Sequence, residues 1–128
     1  IDTNLKGAFS FTQALMRPMI KQRSGRIINI SSISGLTGNA GQANYAASKG
    51  GVMLMMKSIA QEVAPHRIRV NSVCPGAVRT PINMEAWGTP EAYAELMKLV
   101  PYKRIGEPDD IGRAAGPEMH LAVDNLHI

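Results

Sequence analysis

The sequence predicts an α/β fold, half of a doubly wound parallel sheet. Three observations predict it. Two short β-branched runs, residues 26–31 and 67–74, each end in a loop rich in Gly, Pro or Ser. Two long stretches of helical periodicity precede those runs. A further helical stretch follows them, giving the order helix, strand, helix, strand, helix. In such folds the active site lies beyond the carboxyl ends of the strands, so the loops after Ser31 and after Cys74 are the places to look.

Residues Thr3 to Gln22 form the first expected helix. Ala8, Phe11, Leu15 and Met19 recur at helical spacing, and Phe9, Met16 and Ile20 add a second apolar face. A helix apolar on two sides is buried or packed against a partner subunit. Pro18 predicts a kink near residues 14–18, and Ser24-Gly25 ends the helix. Arg26-Ile27-Ile28-Asn29-Ile30-Ser31 reads as a buried parallel strand. Ser32 to Asn44 reads as a Gly-rich loop. Tyr45 to Val63 is the second long helix, with Val52, Met55, Met56, Ile59 and Val63 as its core stripe, and Pro65 ends it. Arg67 to Cys74 is the next strand, closed by Pro75-Gly76. A lid-like segment follows, helical from Pro90 to Leu99. Pro108-Asp109-Asp110 has the Pro and acidic residues of a helix start.

The composition is globular. Of 128 residues, 45% are hydrophobic and 19% charged, which excludes a disordered chain. No apolar run approaches the ~18 residues that span a bilayer, so no membrane partner is expected. A start at Ile1 points to a fragment or a processed chain, and no signal peptide pattern follows it. The single Cys74 cannot form an internal disulfide, which fits a cytoplasmic protein. The net charge is +4, but Lys and Arg are dispersed and aromatics are only 5%, so a nucleic-acid partner is not expected. His66, His120 and His127 have no metal-ligand spacing, and no metal is expected.

The chemistry sits at Tyr45 and Lys49. They are four residues apart, so they share a helical face about one turn from each other. A phenol is a poor acid or base near neutrality because its ordinary pKa is ~10. A neighbouring ammonium favours the phenolate by roughly 3 kcal/mol at ~5 Å and an effective dielectric of ~20. That brings Tyr45 toward a useful general acid/base. A Tyr-x-x-x-Lys pair alone is a weak signal, since most are ordinary surface pairs. Here it opens a helix after an apolar strand, with Ser32 at that strand's end, 13 residues upstream. The second strand runs into Pro75-Gly76-Ala77-Val78-Arg79-Thr80.

Together these stretches resemble the C-terminal half of a short-chain dehydrogenase/reductase. The matching pieces are Asn4-Leu5-Lys6-Gly7, residues 25–32, Tyr45-Ala46-Ala47-Ser48-Lys49, Arg69-Val70-Asn71, Pro75-Gly76 to Thr80, and Gly106-Glu107-Pro108. The resemblance covers residues 1 to about 115, a partial catalytic domain, and implies an incomplete Rossmann-like doubly wound sheet. It implies hydride transfer between NAD or NADP and a secondary alcohol or carbonyl. Tyr45 is then the catalytic acid/base, Ser32 polarises the substrate oxygen, and Lys49 assists Tyr45 and binds the nicotinamide ribose. Asn4 anchors a water in a proton relay. Pro75, Gly76, Val78 and Thr80 contact the nicotinamide end, Val78 through its backbone. The family's phosphate-binding Gly-rich loop is not in this sequence, and Gly35-Leu36-Thr37-Gly38-Asn39-Ala40-Gly41 is no substitute for it. Residues 116–128 depart from the family pattern, where Pro117 would break the expected last helix, and stay unassigned.

Plainer readings stand beside these roles. Asn4 reads equally as a helix N-cap, Thr80 as a cap of the following segment, and Pro75-Gly76 as a turn. Ser31 reads as structural. For substrate, Thr80-Pro81-Ile82-Asn83 and the Trp87-Gly88-Thr89-Pro90-Glu91 lid resemble glucose 1-dehydrogenase-type members, the first expectation. Gly41-Gln42-Ala43-Asn44-Tyr45 resembles 3-oxoacyl-[acyl-carrier-protein] reductases, the alternative. The family also implies a homotetramer built on the two long helices. A fragment retaining only that assembly surface is the reading of another class.

Overall fold

The computed structural model describes residues 2–116 and 126–127. Asp2–Lys6 form a single π-helical turn, and α1 follows over Gly7–Gln22. β1 is Gly25–Ile30 and a short α2 is Ser34–Thr37. α3 spans Ala43–Val63, and β2 Ile68–Cys74. A 3₁₀ segment covers Pro81–Ala86, α4 is Pro90–Leu99, α5 is Pro108–Ala114, and β3 is Leu126–His127. β1, β2 and β3 form a parallel sheet in that order, with Gly25 opposite Ile68 and Val73 opposite Leu126. The α/β architecture and its parallel sheet are as expected.

β2 lies between two strands, so it carries the buried side chains. Ile68, Val70, Val73 and Cys74 are all buried, and so are Asn71 and Ser72. β1 is only half-buried. Val52, Met56 and Val63 of α3 pack with Ile68 and Val70 of β2, and Ala8, Met16, Met19 and Ile20 of α1 close over them. Each such fully buried side chain contributes about 1.5–3 kcal/mol. The expected stripe on α3 is therefore the core stripe, with Met55 and Ile59 at its partly buried rim.

Two expectations change, at the start of the first helix and in the 32–44 segment. The first helix is not regular from Thr3, because its opening turn is π-helical. Pro18 lies inside α1, which is continuous through it. It forgoes one backbone donor, and the packing of Met16, Met19 and Ile20 holds the helix together. Phe11 is 70% exposed, while Thr12 beside it is buried. The 32–44 segment is not all loop, since it contains α2, and α3 starts at Ala43, two residues before Tyr45.

Both strands are entered through a left-handed arginine. Arg23 (φ 53°) ends α1, with its N–H on Ile20 O and the Ser24 N–H on Met19 O. Arg67 (φ 61°) does the same before β2, its N–H on Ala64 O. These are αL caps built without glycine. The predicted break at Pro117 lies outside the described residues.

Candidate active site at the carboxyl ends of β1 and β2

The ends of the two strands are tied together. The Ser31 N–H donates to Val73 O at 2.8 Å, and the Ile33 N–H donates to Pro75 O at 3.0 Å. The loop carrying Ser32 and the turn carrying Pro75-Gly76 thus leave the sheet side by side.

α3 is fastened onto the same place. The buried Ser31 hydroxyl donates to Lys49 O at 2.9 Å. The Lys49 ammonium donates back to Ile30 O at 3.2 Å. Ser31 is therefore a tether, as its structural reading required. Gly35 and Gly50 add a close crossing of α2 over α3. A Cβ on Gly50 would lie 2.8 Å from Gly35 O, and one on Gly35 would lie 2.8 Å from Gly50 N. Only two glycines allow that approach. The crossing falls three residues after Ser32 and one after Lys49.

Within this frame the Lys49 Nζ sits 5.8 Å from the Tyr45 ring centroid. Tyr45 is 42% exposed. The buried Ser48 hydroxyl donates to Tyr45 O at 3.1 Å and stiffens this turn. Ser32 Oγ accepts the Ser34 N–H at 3.2 Å, which leaves its own hydrogen to donate. Asn4 lies in the π-helical turn and not at the N-cap of α1. That turn rests on α3, where a Cβ on Gly51 would meet Leu5 Cδ2 at 3.1 Å.

Beyond β2, Val78 bridges Gly106 in parallel. The Gly106 N–H donates to Ala77 O at 2.8 Å, and the Arg79 N–H donates to Gly106 O at 2.7 Å. The backbone groups of Val78 itself then point to the opposite side, as in any extended strand. Thr80 does cap the following segment. Its N–H and its hydroxyl both donate to Asn83 Oδ1, at 3.0 and 2.7 Å. Asn83 Nδ2 donates to Val78 O at 2.8 Å, and Trp87 Nε1 donates to Asn83 Oδ1 at 3.0 Å. Arg79 lies over the Trp87 ring at 4.9 Å and pairs with Glu107 at 2.9 Å.

Asn83, Trp87 and Arg79 were not singled out as site residues from sequence. The Thr-Pro-x-Asn run carried a signal, a cap followed by Pro at the first helical position and an amide at the third. The Arg79–Glu107 pair spans 28 residues and left no local trace. Among the described residues no three His, Cys, Asp or Glu side chains are grouped to hold a metal ion, and no helix is long and apolar enough to cross a membrane.

The donor set suits a nicotinamide riboside. Lys49 donates one ammonium hydrogen to Ile30 O, which leaves two to donate to a ligand. The Val78 edge faces away from Gly106, and Tyr45 is exposed beside Lys49.

Comparison with known proteins gives the family. A family model described as "short chain dehydrogenase" matches residues 1–91. A 3-oxoacyl-[acyl-carrier-protein] reductase of Thermotoga maritima is 46% identical over 114 residues, 88% of this chain and 45% of that protein. One from Vibrio cholerae is 42% identical over 133 residues, 100% of this chain and 54% of that protein. One from Synechocystis is 41% identical, covering 97% of this chain and 47% of its own length. A solved structure described as "Crystal structure of gox2181" superposes with a TM-score of 0.82 at 36% identity, over 97% of this chain and 52% of that one. The chain spans about half the length of the curated relatives it matches.

Proposed function

The chain belongs to the short-chain dehydrogenase family, and from that premise we propose that the protein is an NAD(P)-dependent oxidoreductase that reduces a 3-oxoacyl thioester carried on an acyl-carrier protein. The observation that carries the chemistry is the double tether of α3 to β1. It holds the Lys49 ammonium at a strand end, 5.8 Å from the ring of an exposed tyrosine. The relatives' names, at 41–46% identity, favour the acyl substrate over the sugar.

When bound, NADH or NADPH supplies the hydride that reduces the carbonyl carbon. Ser32 donates its hydroxyl hydrogen to the carbonyl oxygen and fixes its position. Tyr45 delivers the proton to that oxygen as negative charge develops on it. Lys49 stabilises the charge left on the Tyr45 oxygen and holds the ribose through its two remaining hydrogens. Asn4, on the turn against α3, anchors the water through which that proton is replaced. The Pro75-Gly76 turn, the Val78 backbone and Thr80 hold the nicotinamide end. Assembly as a homotetramer belongs to the same reading, supported by Phe9, Phe11 and Leu54, which are exposed on α1 and α3.

The test is turnover of the full-length protein on a 3-oxoacyl thioester and on glucose, side by side. The acyl substrate is expected to be reduced, and activity on glucose alone would refute the substrate assignment. Tyr45→Phe in the same protein is expected to lower kcat by ~10²–10⁴-fold, the ordinary worth of a general acid, with cofactor affinity unchanged. Turnover near the wild-type rate would remove Tyr45 from the mechanism.

A further inference from the structure

One amide side chain joins the backbone assigned to the cofactor and the root of the lid. Asn83 is half-buried on the 3₁₀ segment Pro81–Ala86. Its oxygen accepts from the Thr80 N–H, the Thr80 hydroxyl and Trp87 Nε1. Its nitrogen donates to Val78 O. Trp87 is the residue from which the chain passes through Gly88 and Thr89 into α4, and its Nε1 also donates to Thr80 O at 3.2 Å. Arg79 covers its ring and is itself held by Glu107, just before α5.

Each group in this cluster has a demand that only an uncharged amide meets. Val78 O needs a donor, while Thr80 and Trp87 need an acceptor. A carboxylate supplies only the second and a lysine only the first. The Val78 backbone and the Trp87 ring are thereby held by one planar group. A shift at one end of that group misaligns the bonds at the other, because hydrogen bonds weaken steeply with angle.

We infer that Asn83 is a positioning residue that couples cofactor contact at Val78–Thr80 to the placement of the lid at Trp87. This rests on the nicotinamide reading of that turn. A cofactor seated on Val78 orders the turn. The turn orders Trp87 through Asn83, and α4 then starts from a fixed point above the substrate. Asn83 thus joins the direct Trp87 Nε1–Thr80 O bond and the Arg79 stacking in linking the cofactor turn to the lid, and it need touch neither ligand.

Trp87 is the chain's single tryptophan, so it reports on its own anchor. In the full-length protein, with any tryptophan outside these 128 residues replaced by phenylalanine, acrylamide quenching of Trp87 emission without cofactor is expected to rise at least about twofold in Asn83→Ala, as the local structure opens more often. The Kd for NADH or NADPH is expected to rise roughly 3- to 10-fold, the loss of about one hydrogen bond's worth of ordering. Asn83→Asp separates the two ends. It keeps the acceptor for Thr80 and Trp87 and loses the donor for Val78, so cofactor Kd rises as in the alanine variant, while quenching rises above the wild-type level but less than in the alanine variant. If Asn83→Ala does not fold, the aspartate variant carries both readouts. Wild-type cofactor affinity in either variant overturns the coupling, as does unchanged quenching in Asn83→Ala. A wild-type protein that binds neither NADH nor NADPH removes the functional reading and the coupling together, an outcome distinct from normal wild-type binding with unaffected variants.

Discussion

Asp110 gathers three donors at the start of α5. Arg104 Nη1 lies 3.0 Å from one carboxylate oxygen, the Glu107 N–H 2.8 Å from the same one, and Arg113 Nη2 3.1 Å from the other. The Arg104 hydrogen bond, with the Glu107 backbone bond next, holds its pKa down from 3.8 to about 2. A depressed acid adds stability above its ordinary value and loses it as the pH falls through the lowered one. Asp110→Asn should therefore flatten the fall in Tm between about pH 4 and pH 2 and lower Tm near neutrality. Parallel melting curves would show that other carboxylates carry the acid loss. Nothing of this triad was legible beyond the acidic first turn at Pro108-Asp109-Asp110. Tyr45 and Lys49, by contrast, were legible because a helix imposes their spacing. Arg79 and Glu107 were not, because a contact across 28 residues depends on the whole path between them. Ser31 was readable as structural, yet its partner, the Lys49 carbonyl, was not.

At the scale of elements, strongly periodic segments were read within one or two residues, apart from the π-helical opening before α1. α4 falls on Pro90–Leu99 as expected, because Thr89 caps it and Pro90 occupies its first position. The start of α3 was missed because Gln42 caps it without a side-chain bond, so no cap residue marked Ala43. α2 was missed because Ser34-Gly35-Leu36-Thr37 has poor helix propensity and exists through its contact with α3. That contact makes opposite predictions for two helical glycines. Replacing glycine by alanine in a helix ordinarily gains about 0.5–1 kcal/mol. Gly112→Ala on α5 should gain it, since a Cβ there meets nothing within 4 Å. Gly50→Ala should instead lose about 1–3 kcal/mol, because its Cβ would strike backbone that cannot yield. Urea midpoints of the two variants check this, and a stabilised Gly50→Ala would refute the close crossing.

Across the described residues as a whole, β1 is the exposed flank. Among the described residues no strand pairs with its outer edge, and the buried Asn29 Nδ2 beside it has no hydrogen-bond partner. An unpaired edge of isoleucines next to exposed Phe11 is a template for association. The 128-residue chain produced by itself should therefore show concentration-dependent mass in sedimentation, reduced by Ile28→Lys. A monomer at every concentration would contradict this. Among the described residues the parallel order β1, β2, β3 also follows chain order. On a ribosome, β2 can dock on β1 as soon as Cys74 clears the exit tunnel. Its other edge then waits for the next ~50 residues, at about 5–20 residues per second, before Leu126 can join it. β2, almost wholly buried once paired, thus spends roughly 3–10 s of its birth with that edge uncovered, the interval in which a chaperone has most to protect.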